Sequence, residues 1–224
     1  MNNNNNNKFD LIFVAPLQSD FESSLSDVRH LIPYANSYNT YFFSEYNDNI
    51  KKYFDFHTGI GKNRCGMFFV ESSFSKKESV LFLENHNLKK NKYIVCYIAE
   101  SISDSNNCFL SFFEMVIKKY KKKLNKITII VPEWIAKNFS KYIKYFIHDF
   151  SNIIVSTKSE NKSYTNENKN KNISLHIRGD LFPIPNKDML LLMKNSLDDM
   201  LLTGDQSITD ALSCCPKKNI WYQI

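Results

Sequence analysis

The chain has 224 residues and a mass of 26.3 kDa, enough for one large domain or two small ones around a buried core. Hydrophobic residues make up 43% and charged residues 23%, which excludes wholesale disorder, and no apolar run reaches the ~18 residues of a membrane span. The first apolar run, Leu11 to Val14, is also too short for a signal-peptide core, so a cytoplasmic protein is expected.

Net charge is +6, and Lys118, Lys119, Lys121, Lys122, Lys123 and Lys126 gather at one predicted helix end. There they complement the helix dipole and read as a solvated face. A nucleic-acid surface is the weaker reading, because no aromatic-lined basic groove or reader motif accompanies them.

Residues 1–8 are Asn-rich and expected to be a disordered tail. Asp10 to Pro16 reads as a buried strand, and Ser19 with Glu22 forms a capping-box start for a helix carrying Leu25, Val28 and Ile32. Tyr41 to Phe43 and Met67 to Val70 read as short strands in an N-terminal acceptor-side part spanning 9–88. A second part, 89–224, is more regular. Tyr93 to Ile98 is an apolar strand, and Phe109, Phe113, Val116, Tyr120 and Leu124 line one helix face. Ile127 to Val131 is a strand, Trp134 to Phe146 a helix begun by Pro132-Glu133, and Ile153 to Val155 a strand. Ser156 to Asn172 is polar and predicted as a surface loop. Ile173 to Ile177, Met200 to Leu202 and Ile220 to Tyr222 are strands, with helices at Asp188 to Asn195 and Ile208 to Ser213. Apolar strands alternating with helices predict an α/β fold with a Rossmann-like parallel sheet.

Five cysteines form no C-x-x-C pair, which suits reduced thiols in a cytosol-like compartment. No His/Cys cluster has zinc spacing, so no metal site is predicted. Glycine is scarce: five residues fall in His57–Gly66, Arg178-Gly179-Asp180 and Thr203-Gly204-Asp205-Gln206-Ser207. Such sites mark turns or close approaches to a ligand. The last stretch follows a strand and opens a helix, where backbone N–H groups and a positive dipole end can hold a phosphate. Ser207 can add a hydroxyl, and Asp210, one turn on, can accept from a ribose or sugar hydroxyl; a tight turn with Asp205 capping the helix is the structural alternative. The first stretch has Lys62 and Arg64 beside its glycines but matches no phosphate-loop pattern. His57 and Asp20 are candidate general bases, each with an ordinary structural role as the alternative.

The order His176-Ile-Arg-Gly-Asp-Leu-Phe-Pro-Ile-Pro185, Asp188-Met-Leu-Leu-Leu-Met193, Ser196-Leu-Asp-Asp-Met-Leu-Leu202, the Gly-Asp-Gln-Ser turn and Asn219-Ile-Trp-Tyr-Gln-Ile224 resembles the donor half of GT-B glycosyltransferases. The turn and closing strand are similar to those of protein-arginine rhamnosyltransferases, although Asp205-Gln206 stands in place of their Glu-Asp pair. The resemblance covers residues 173–224 by motif and 90–172 by pattern. It implies a GT-B-like fold that ends short of the family's full donor domain. It also implies a metal-independent transfer from a nucleotide-diphosphate sugar, with no further cofactor, to an unidentified acceptor, protein among the candidates. By position it assigns Phe182 and Ile184 to the base, Gly204, Asp205, Gln206 and Ser207 to the diphosphate or sugar, and Asp210 to hydroxyls. It supports Asp20 or His57 as the base that deprotonates the acceptor. A non-catalytic nucleotide-sugar-binding or protein-interaction module of the same fold is the alternative.

Overall fold

The structure is a computed structural model that describes residues 12–17, 40–44, 55–57, 73–102, 104–166 and 172–223. The chain divides into two compact units, Met1–Phe68 and Phe69–Ile224. In the first, β1 (Ile12–Leu17), β2 (Thr40–Ser44) and β3 (Phe56–His57) form a parallel sheet in that order. The helix predicted after Ser19 and the strand predicted at Met67 to Val70 lie outside the described residues.

The second unit is α/β, with a mostly parallel, mixed sheet of seven strands in the Rossmann-like class. Its strands are β4 (Tyr93–Tyr97), β5 (Lys126–Ile130), β6 (Asn152–Ser156), β7 (Asn161–Thr165), β8 (Ser174–Arg178), β9 (Asp199–Leu202) and β10 (Asn219–Tyr222). They lie in the order β10-β9-β4-β5-β8-β6-β7, and only β7 runs antiparallel to its neighbour. The helices are α1 (Lys76–Asn85), α2 (Ser105–Tyr120), α3 (Glu133–Phe139), α4 (Ile143–Phe146), α5 (Asn186–Asn195) and α6 (Asp205–Cys214).

Helix α1 begins with a capping box: the Glu78 amide donates to Ser75 Oγ, and the Ser75 amide donates to Glu78 Oε2. Lys187 of α5 donates to Glu78, which together with those bonds holds this carboxyl down at about 2. Phe82 and Leu83 of α1 are buried in the core of the second unit, so this helix belongs to the sheet layer although the sequence break falls after it.

The periodic face of α2 packs as its spacing predicts. Phe109, Phe113, Val116 and Tyr120 are buried against Ile94, Cys96, Ile127, Ile129, Leu175 and Ile177 of the sheet. Phe113 is the hub, with ring centroids 5.7 Å from Phe109, 5.4 Å from Phe139 and 4.7 Å from Phe146. The predicted helix over Trp134 to Phe146 is two helices joined by a 3-10 turn at Ser140–Tyr142. The loop predicted after Ser156 contains β7, whose polar residues pair along the sheet edge.

At the start of β9, the Asp199 carboxylate is buried and receives Lys119 Nζ at 2.5 Å, Tyr120 OH at 2.6 Å, Asn219 Nδ2 at 3.1 Å and Trp221 Nε1 at 3.4 Å. Burial alone would raise this carboxyl, but those donors outweigh it and hold it below its ordinary value. One of the clustered lysines therefore anchors α2 to the sheet, and Lys121 pairs with Asp149 at 3.6 Å. The four described cysteines carry free thiols. Among the described residues no helix is long and apolar enough to cross a membrane.

Candidate functional site

The chain crosses from β4 through α2 to β5, and on through α3 and α4 to β6, over one face of the sheet. From β8 it returns through α5 to β9, on the far side of β4, and through α6 to β10 over the opposite face. The direction of winding thus reverses between β4 and β9. In open α/β sheets this reversal opens a crevice beyond the carboxyl ends of the strands.

Three segments meet there. Tyr97 ends β4, and its carbonyl accepts from the Thr203 amide at 3.0 Å, which ties β4 to the turn after β9. The Tyr97 side chain is 39% exposed, and its ring lies 5.0 Å from that of Phe182, in the loop after β8. Gly204 follows β9 with φ +78° and ψ 148°, a region essentially reserved for glycine, and it opens α6 with no side-chain cap. A Cβ at Gly204 would meet nothing within 4 Å, so the position borders open space. Helix α2 also starts without a side-chain cap, at Asp104. The first N–H groups of a helix have no intrahelical partner, so both ends can receive negative charge.

The other residues assigned by sequence are placed as follows. Phe182 is only 7% exposed, and Ile184 packs half-buried against the core shared with α5. Gln206 is exposed on α6, and Asp205 is its first residue, with a side chain outside the described part. Ser207 donates its hydroxyl back to the carbonyls of Thr203 and Gly204, the latter at 3.0 Å, so the hydroxyl fastens the turn. Asp210 is 2% exposed, and its Oδ1 accepts from Gln206 Nε2 at 2.8 Å. Burial raises this carboxyl, with the Gln206 bond opposing. His57 ends β3 in the first unit, half-buried. Asp20 lies outside the described residues, as do Thr58 to Gly66.

Gly179 has a packing role. A Cβ there would collide with Ala136 Cβ and stand 3.2 Å from Glu133 Cα, so glycine lets α3 close onto the end of β8. Two residues at the crevice escape sequence reasoning. Tyr97 is one, since only the strand order shows that an aromatic ends the switch-point strand. Gln223, just past β10, is the other: it is 3% exposed, its Nε2 donates to Ser105 Oγ at 2.8 Å, and its Oε1 has no hydrogen-bond partner. A buried acceptor without a donor is rare and costs about 1–3 kcal/mol. Among the described residues no group of three or more His, Cys, Asp or Glu is placed to hold a metal ion. No family model, curated protein or solved structure matches this chain.

Proposed function

We propose that the second unit is the donor-binding half of a GT-B-type glycosyltransferase that moves a sugar from a nucleotide-diphosphate sugar to an acceptor. The observation that carries this reading is the junction of β9 and α6: Gly204, at φ +78°, opens an uncapped helix at the switch point of the sheet. The diphosphate would lie against the amides that open α6, where fixed N–H groups stabilise the charge developing on the leaving group without reorganising. Tyr97 would offer an exposed ring beside Phe182 for the base. Gln206, exposed on α6, is the polar group available to donor hydroxyls, while Asp210, closed off and bonded to Gln206, would orient Gln206.

A panel of nucleotides and nucleotide sugars tests the reading by thermal shift. A ligand that binds only the native state at about 100 times its Kd stabilises it by about 2.7 kcal/mol. At least one nucleotide sugar should raise the midpoint of the wild type and not that of Gly204→Val. Stabilisation of both alike, or of neither, would refute the proposal. Binding without consumption of the donor would support the module reading over transfer.

A further inference from the structure

The face of the sheet that carries α1, α5 and α6 is covered only in part. Their core takes in Val95, Met200 and Leu202, and from β5 only Ile130. Beyond it, over β5, β8 and β6, the same face bears Lys126, Thr128, His176, Arg178 and Ser156 and forms a cleft of about 670 Å³. Parallel strands are ordinarily buried on both faces, so a polar, open stretch in the middle of such a sheet is unusual.

Its charge is one-sided. Lys92 precedes β4, Lys126 begins β5, and Lys123 and Lys89 stand on the adjoining loops; all four side chains are exposed around the cleft. No carboxylate among the described residues forms an ion pair with any of the four. Asp180, the one acid among the described lining residues, is held in a two-pronged pair by Arg178, with Nε to Oδ1 at 3.0 Å and Nη2 to Oδ2 at 2.7 Å. The remaining field is positive. Such crowding of like charge opposes folding and favours an anionic occupant.

The register gives the spacing. Lys126 pairs with Ser174, four residues before Arg178 on the neighbouring strand, which separates the two cations by about 14 Å between Cα atoms. Between them lie neutral hydrogen-bonding groups. Thr128 is the register partner of His176, whose Nε2 is 2.8 Å from Ser156 Oγ. Among the described lining residues Tyr93 is the one Phe, Tyr or Trp ring, and it is buried and donates its hydroxyl to the Leu192 carbonyl at 2.8 Å, so the cleft offers no exposed Phe, Tyr or Trp face for stacked bases.

We propose that this cleft binds a small ligand with phosphate groups at both ends of a hydroxyl-rich body, of the sugar-bisphosphate class. The amino-end lysines take one phosphate, the two N–H groups that Arg178 has left take the other, and Thr128, His176 and Ser156 meet the hydroxyls. The volume falls within the usual range for small-molecule sites of about 300–1,000 Å³.

Calorimetry on the full chain at low salt tests this with a hexose 1,6-bisphosphate, inorganic phosphate and a 12-nucleotide oligothymidylate as probes. The bisphosphate should bind about tenfold or more tightly than phosphate, since two charge-assisted contacts replace one. Lys126→Ala and the isosteric Thr128→Val should each weaken it severalfold without lowering the melting temperature, while Gly204→Val leaves it unaltered. Absent binding, equal binding of phosphate, or indifference to both variants would overturn the proposal. Displacement of the bisphosphate by the oligonucleotide at lower concentration would overturn it in favour of nucleic acid.

Discussion

His176 sits in that cleft with its imidazole half-buried, and burial, then the positive charges of Lys126 and Arg178, lower it from the usual 6.5 to about 4, with Asp180 opposing. At neutral pH the ring is therefore neutral. In the unfolded chain it takes up a proton near pH 6.5, whereas in the fold it resists protonation until about pH 4. Its contribution to stability is thus complete above pH 6.5 and is lost as the pH falls towards 4. At 1.36 kcal/mol per pH unit the full window bounds the effect at about 3 kcal/mol, and the partial exposure of the ring brings it to about 1–2 kcal/mol. His176→Gln retains a polar side chain facing Ser156 and removes the titration. Both tryptophans, Trp134 and Trp221, lie in the second unit, so urea unfolding followed by tryptophan fluorescence reports on this sheet alone. Between pH 7 and pH 4.5 the wild type should lose about 1–2 kcal/mol relative to the variant. A difference between the two proteins that stays constant over that range would refute the depressed imidazole, and with it the burial and neighbouring positive charge that lower it.

Gly204→Val should cost about 1–3 kcal/mol in urea unfolding from backbone strain alone, because a Cβ meets no atom there; a neutral substitution would mean the turn relaxes out of its positive φ. Phe113→Ala empties the centre of a four-ring cluster and should cost about 3–5 kcal/mol, with a loss below 1 kcal/mol contradicting the packing. Tyr120→Phe removes one donor to the buried Asp199 carboxylate and should cost about 1.5–3 kcal/mol by the same measurement, whereas no loss would mean that water replaces the hydroxyl.

The α/β alternation was legible because β4 and β9 are apolar on both faces, β5 is an apolar run from Ile129 to Val131, and α2 carries an unbroken buried stripe from Phe109 to Tyr120. The uncovered face was legible in principle as well. The sequence Ser174-Leu-His-Ile-Arg178 alternates, with Leu175 and Ile177 in the core and the polar residues opposite, as a strand covered on one side does. Reading it as one apolar run to Ile177 hid that signal. Strand β7, Asn-Lys-Ser-Tyr-Thr, has the composition of a loop and owes its form to ladder bonds with β6, which no local pattern announces. The roles of Gly179, Ser207 and Asp210 are set by neighbours: the approach of α3, the backward hydroxyl bonds and the cover over the first turns of α6 decide them. Tyr97 and Gln223 come to the crevice only through strand order, which is a property of the assembled sheet.

The most direct test of the account is amide chemical-shift mapping of the full chain during titration with the nucleotide sugar that gives the largest thermal shift. With the donor at the switch point, the perturbed amides are those of Tyr97 to Ala99 and Thr203 to Ser207, with Phe182 and Gln223 following, and Gly204→Val abolishes the perturbations. Perturbations confined to Lys126, Thr128, His176 and Arg178, or spread evenly over the exposed lysines, would contradict a donor site at the switch point.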